Sequence, residues 1–222
     1  MHTGSGRIIE LHLEDGCLYA RISCPEGLVP NPGQYLLASH SSDPILPVHI
    51  FHTDSAPQGF IGPAYDGWKP GDLLALRGPL GRGFTLPTSV RKVGLIAFDS
   101  PASRLRGLIP PALRQNASIV LLCDSSSDHL PAVVEVQPVS AMREIFQWAD
   151  YIALDVNRAN LGALREILQE MGTRASIASA QVLVRTSMPC GGLADCGVCA
   201  VTTRSDWKLA CKEGPVFELG EI

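Results

Sequence analysis

Cys190, Cys196, Cys199 and Cys211 constrain this chain more than any other residues, because the fold must bring their sulfurs together if they act as a set. They lie in Met188-Pro189-Cys190-Gly191-Gly192-Leu193-Ala194-Asp195-Cys196-Gly197-Val198-Cys199-Ala200, with Cys211 after a short polar stretch. The spacing is C-x5-C-x2-C-x11-C, one residue longer in its first gap than the plant-type [2Fe–2S] run C-x4-C-x2-C…C. Glycine tolerates positive φ and has no side chain to clash, so this loop can wrap a cluster closely and turn backbone N–H groups toward its sulfides. Structural zinc also takes four thiolates, but it usually draws them from two C-x2-C knuckles, and only one is present here. A [2Fe–2S] cluster on the four cysteines is the expectation, with structural zinc as the alternative.

Hydrophobic residues make up 45% of the 222 and charged residues 18%, which supplies a core and is not a disordered composition. The net charge of −4 comes with no basic block, so a nucleic-acid surface is not expected. The first residues, Met1 to Arg7, lack the apolar stretch of a signal peptide, and no apolar run approaches bilayer length. Cys17, Cys24 and Cys123 read as buried thiols within strands. The expectation is a cytoplasmic protein that binds neither membrane nor nucleic acid.

Residues 5–84 read as short strands broken by Gly and Pro turns. Arg7–Leu13 and Cys17–Ile22 form a hairpin, and Tyr35–Ala38, Pro47–Phe51 and Asp72–Arg77 are further strands. This pattern predicts a small antiparallel β barrel. After about residue 90 the runs Val93–Phe98, Ser118–Cys123 and Tyr151–Asp155 are continuously apolar, as in strands covered on both faces. Helical patterns separate them, the clearest over Asn160–Met171 with Leu161, Leu164, Leu168 and Met171 on one face. Strands alternating with helices predict an α/β domain with a parallel sheet. The organisation expected is a barrel over 1–89, an α/β domain over 90–186 and a cluster-binding module over 187–222.

That order, with several local motifs, resembles the electron transfer subunit of dihydroorotate dehydrogenase, an iron–sulfur flavoprotein family of the ferredoxin reductase superfamily. Pro32-Gly33-Gln34-Tyr35 is similar to the P-G-Q-F/Y turn of the reductase barrel. Lys69-Pro70-Gly71-Asp72 and Gly78-Pro79-Leu80-Gly81-Arg82-Gly83-Phe84 resemble P-G-D…G-P-L-G-x-G-F, and Cys211-Lys212-Glu213-Gly214-Pro215-Val216-Phe217 resembles the ending C-x-x-G-P-V-F. The resemblance implies an electron transfer role in pyrimidine biosynthesis, beside a catalytic flavoprotein subunit in a hetero-oligomer. It also implies an FAD site between barrel and α/β domain, near Gln34, Tyr35, His49, Ile50, Gly78, Pro79, Leu80, Gly81, Gly83 and Phe84.

Departures from the family weigh against the flavin. Its R-P-x-S strand, which supplies an arginine for the pyrophosphate, corresponds to Leu46-Pro47-Val48-His49 here, and leucine cannot pair with phosphate. A later G-T turn corresponds to Gly62-Pro63-Ala64, and proline has no N–H to give. The glycine-rich turn of a dinucleotide site is replaced by Phe98-Asp99-Ser100-Pro101-Ala102-Ser103-Arg104, and the later C-G-P turn by Leu154-Asp155-Val156-Asn157-Arg158. Asp99 would repel phosphate, so NAD(P) in the usual manner is not expected. Ser100 and Ser103 read as helix caps, and Arg104 and Arg106 as solvated or paired surface residues. Two functions stay open. One is a relay of electrons by the cluster with FAD. The other is a divergent reductase-fold scaffold that relays by the cluster alone or carries zinc.

Overall fold

The computed structural model describes residues 2–14, 16–40, 47–124, 130–172, 179–193 and 195–222. Strands β1 (His2–Glu14), β2 (Cys17–Ser23), β3 (Tyr35–His40), β4 (Val48–Phe51), β5 (Asp54–Ala56), β6 (Gly59–Pro63) and β7 (Leu73–Leu80) form an antiparallel sheet in the order β4-β3-β7-β1-β2-β6-β5. The expected hairpin is present, with Glu14 opposite Cys17 and Gly16 at φ 72°. Alternation along the strands puts Ile8, Ile22, Leu36, Ile50, Phe60 and Leu74 inside one buried cluster, which curls the sheet into a half-barrel. The curl is tight enough that a Cβ on Gly62 of β6 would come within 2.4 Å of Ile50 Cγ2 on β4.

The second sheet contains β8 (Lys92–Ala97), β9 (Ser118–Leu122), β10 (Val134–Gln137), β11 (Tyr151–Asn157) and β12 (Ala180–Arg185), all parallel. A hairpin of β13 (Ala200–Thr202) and β14 (Trp207–Leu209) follows, and β15 (Val216–Glu218) then returns to pair antiparallel with β12. The sheet is therefore mixed, in the order β10-β9-β8-β11-β12-β15. Helices α1 (Ser103–Arg106), α2 (Ile109–Arg114), α3 (Met142–Trp148) and α4 (Leu161–Glu170) accompany it, and α5 (Ala210–Glu213) precedes β15. On α4, Leu161 and Leu164 are buried and Leu168 packs at the core margin, as the periodicity predicts. Cys123 is buried as expected, whereas Cys17 is exposed at the start of β2.

No described helix is long and apolar enough to cross a membrane. Leu46, at the missing arginine position, lies outside the described residues.

Candidate functional site

The site is built on the outer face of three half-barrel strands. Because side chains alternate, Leu36 and Ala38 of β3 point into the half-barrel core while Tyr35 and Leu37 join the cluster of the second sheet and tail. Ile50 of β4 faces inward and Phe51 outward by the same rule. His49 and Arg77 complete this outer platform, and each reaches the cysteine loop. His49 Nε2 lies 2.7 Å from the Met188 carbonyl, and Arg77 donates to the Gly191 carbonyl at 2.9 Å. Gly191, at φ 52°, rests on the platform so closely that a Cβ would come within 2.4 Å of Leu37 Cδ1. Only glycine allows that approach.

From the other side, the second sheet holds the same module. Arg158 Nη1 donates to the carbonyls of Val198 and Ala200 at 2.6 and 3.1 Å, and Arg165 Nε to that of Ile222 at 2.8 Å. The β13–β14 hairpin, with Ala200 opposite Leu209, brings Cys199 beside Cys211. Their sulfurs are 3.2 Å apart, and those of Cys190 and Cys196 are 3.7 Å apart. Two thiolates bound tetrahedrally to one metal at about 2.3 Å would stand roughly 3.8 Å apart. Two close thiol pairs, Cys190 with Cys196 and Cys199 with Cys211, suit a binuclear cluster with one pair on each metal.

The pairs differ in exposure. Cys199 and Cys211 are buried, Cys190 is half-buried and Cys196 is exposed, in a loop that also shows Leu193 and Val198 to solvent beside exposed Trp207. Burial pushes the Cys211 thiol up to about 12, and the neighbouring Cys199 and Cys190 push in the same direction. A metal taken up here therefore displaces the proton that burial holds on Cys211.

The flavin-related residues lie around this platform, and many are engaged by the protein itself. Gln34 donates to the Gly81 carbonyl at 3.0 Å and accepts from the Asn31 amide. The Gly78–Phe84 segment, with a cis Gly78–Pro79 peptide, lies against the tail, where the Arg82 amide donates to Gly214 at 2.6 Å. Gly81 sits at φ 74°, and a Cβ there would be 2.5 Å from Pro215 Cδ. Gly83 likewise faces the Pro32 carbonyl, while Leu80 and Phe84 pack at the core margin. Ile50 is fully buried inside the half-barrel, on the strand face opposite Phe51. Where a G-T turn would offer amides to phosphate, Pro63 has none and the Ala64 amide already donates to Leu18 at 2.9 Å. These described residues do not fit a pyrophosphate.

At the carboxyl ends of β8 and β11, where an open α/β sheet takes its ligands, charged side chains fill the crevice. Asp155 is fully buried and meets Arg185 Nε at 2.6 Å, Arg104 Nη1 at 3.5 Å and the Ser100 hydroxyl at 3.3 Å. Burial pushes its carboxyl up to about 6 against the pull of Arg104 and Ser100. Asp99 pairs with Arg185 and accepts from the Asn157 amide and the Asn160 side chain. Beside them is a cleft of about 490 Å³ lined by Phe51, Arg104, Arg158 and Arg185. Ser100 thus serves Asp155 rather than capping a helix, and α1 has no side-chain cap. Both arginines are paired, one of the two states expected of them: Arg104 with the buried carboxylate of Asp155, and Arg106 with Glu14. The arrangement does not fit a dinucleotide phosphate. The network escaped sequence reasoning because its members are far apart in the chain.

Comparison with known proteins agrees with this geometry. Residues 186–222 match the family model described as the iron–sulfur cluster binding domain of dihydroorotate dehydrogenase B. The chain is 26% identical to the electron transfer subunit of dihydroorotate dehydrogenase B (NAD(+)) from Desulforamulus reducens, over 86% of each chain. Among solved structures, that of the NADH-dependent reduced ferredoxin–NADP oxidoreductase superposes with a TM-score of 0.73 at 18% identity, covering 97% of this chain and 88% of that one. The ferredoxin reductase of carbazole 1,9a-dioxygenase gives 0.62 at 16% identity, over 82% and 66%. A ferredoxin NADP+ reductase from Neisseria gonorrhoeae gives 0.57 at 13%, over 82% and 98%. The chain thus joins a ferredoxin-reductase-like fold to a C-terminal segment, residues 186–222, that matches the model of the dihydroorotate dehydrogenase B iron–sulfur cluster binding domain.

Proposed function

We propose that this chain is an electron transfer subunit. Cys190 with Cys196 and Cys199 with Cys211 hold a [2Fe–2S] cluster, and the partner is a catalytic flavoprotein subunit of the dihydroorotate dehydrogenase type in a hetero-oligomer of pyrimidine biosynthesis. The observation that carries this is the pairing of the thiols, with sulfur separations of 3.7 and 3.2 Å, inside the matched segment. When bound, such a cluster takes up and releases single electrons. The protein's own part is to fix the loop. His49 and Arg77 hold the carbonyls of Met188 and Gly191 on one side, and Arg158 holds those of Val198 and Ala200 on the other. Leu193, Val198 and Trp207, exposed near Cys196, offer the apolar surface on which the partner docks. Seven free thiols suit a reducing, cytoplasmic compartment.

A second reading, in which the reductase fold is a frame and the cluster alone relays, draws on the carboxylates in the crevice and on Pro63 and Ala64. With FAD present, the flavin would instead split a hydride pair into single electrons for the cluster. Protein purified without oxygen separates these readings by composition. Equal iron and acid-labile sulfide is the expected result, and flavin in step with iron selects the FAD-dependent form. Zinc without sulfide, in a preparation that iron and sulfide do not reconstitute, would overturn the proposal.

A further inference from the structure

Tyr35 presents a chemical puzzle. The side chain is fully buried on β3, yet its hydroxyl is buried without a hydrogen-bond partner. A phenol left so is costly, and phenylalanine would fill the same space without the penalty. The ring is fixed on several sides. It meets His49 at 5.3 Å and Phe51 at 5.6 Å between centroids, and a Cβ on Gly81 would touch its edge at 3.2 Å. It belongs to the same buried cluster as Cys199 and Cys211, with Cys190 packed against that cluster. Besides burial, the ionisable groups acting on its oxygen are Cys211, Cys199, Arg77 and Cys190. Three of those four are proposed cluster ligands.

We infer that the Tyr35 hydroxyl donates a hydrogen bond to a sulfur of the cluster held by Cys190, Cys196, Cys199 and Cys211, and so sets its reduction potential. This rests on the cluster assignment above. No thiol sulfur lies within hydrogen-bond reach of the hydroxyl, so its acceptor is a sulfur that only the assembled cluster brings. Cluster sulfurs carry negative charge and accept well. Reduction adds further negative charge, so the donated bond stabilises the reduced form more than the oxidised one and raises the potential. Tyr35 is a positioning residue for the cluster's electronics, not a ligand.

The test compares the full-length, cluster-loaded protein with its Tyr35→Phe variant, purified without oxygen. Potentiometric titration followed by electron paramagnetic resonance reads the cluster. The expected change is a roughly tenfold shift of the equilibrium toward the oxidised form, about 59 mV lower for one electron. Reduced wild-type protein moved into deuterium oxide should lose a strongly coupled exchangeable proton signal that the variant never shows. That measurement on the wild type alone holds even if the variant fails to load. In the iron-free state, Tyr35→Phe should be at least as stable as the wild type, since an unpartnered hydroxyl has been removed. An unchanged cluster potential overturns the inference, including the case where only a bound flavin shifts. So does the absence of the exchangeable proton, or a loss of stability in the iron-free variant. Failure of the wild type to form any cluster overturns the functional proposal itself, which is a separate outcome.

Discussion

His52 is 3% exposed, its Nδ1 has no hydrogen-bond partner, and a Cβ on Gly107 would come within 2.6 Å of the ring. Burial lowers its pKa from 6.5 to about 4, against the weaker upward pull of Asp54. Between those two values the unfolded chain binds a proton that the folded one refuses, so stability is lost as pH falls through the window. The expected loss is about 3 kcal/mol at roughly 1.4 kcal/mol per unit. Denaturation midpoints from pH 7 to 4, compared between wild type and His52→Gln, measure it. The variant should show a shallower slope, and equal slopes would remove His52 as the cause.

Among the elements, the turn after β7 and the entry to β15 form one joint. Gly81 at φ 74° has its α-hydrogen where a methyl would strike Pro215 and, at 2.8 Å, the Gly214 carbonyl. Gly81→Ala combines left-handed strain of ~1–2 kcal/mol with overpacking of ~1–3 kcal/mol, so a loss of about 3 kcal/mol in urea unfolding is expected. Gly71→Ala is the control. Its φ of 95° is equally unfavourable, but nothing lies within 4 Å of the added Cβ, so only the strain should appear. This joint also shows what the sequence reveals. Short apolar runs such as Tyr35 to Ala38 were readable because both of their faces are buried, one in the half-barrel core and the other against the second sheet and tail. The first residues of β1, rich in Gly and Ser, were not, since their pairing with β7 leaves most of their surface exposed. The cysteine set was legible because its spacing is local. The hold that Arg77 and His49 take on the cysteine loop was not, because they reach Gly191 and Met188 across 114 and 139 residues of chain. Alternation along β3 was the one available signal that Tyr35 and Leu37 share an outward face.

For the molecule as a whole, a single buried cluster runs from Tyr35 and Leu37 of the half-barrel, through Ile152 and Leu154, to Cys199, Cys211 and Phe217 of the tail. The parts should therefore unfold together. Calorimetry is expected to give one transition whose measured enthalpy equals the van't Hoff value, and two resolved transitions would show that the parts fold independently. The ion pairs at the strand ends have their own consequence for traffic through the molecule. Asp99 and Asp155 already sit where a phosphate would bring its charge, and Arg104 and Arg185 are bound to them. A free pyridine nucleotide would have to evict two carboxylates from their partners before it could settle. If the chain relays electrons as proposed, this geometry leaves the exchange to whichever protein touches it rather than to the diffusing nucleotide pool.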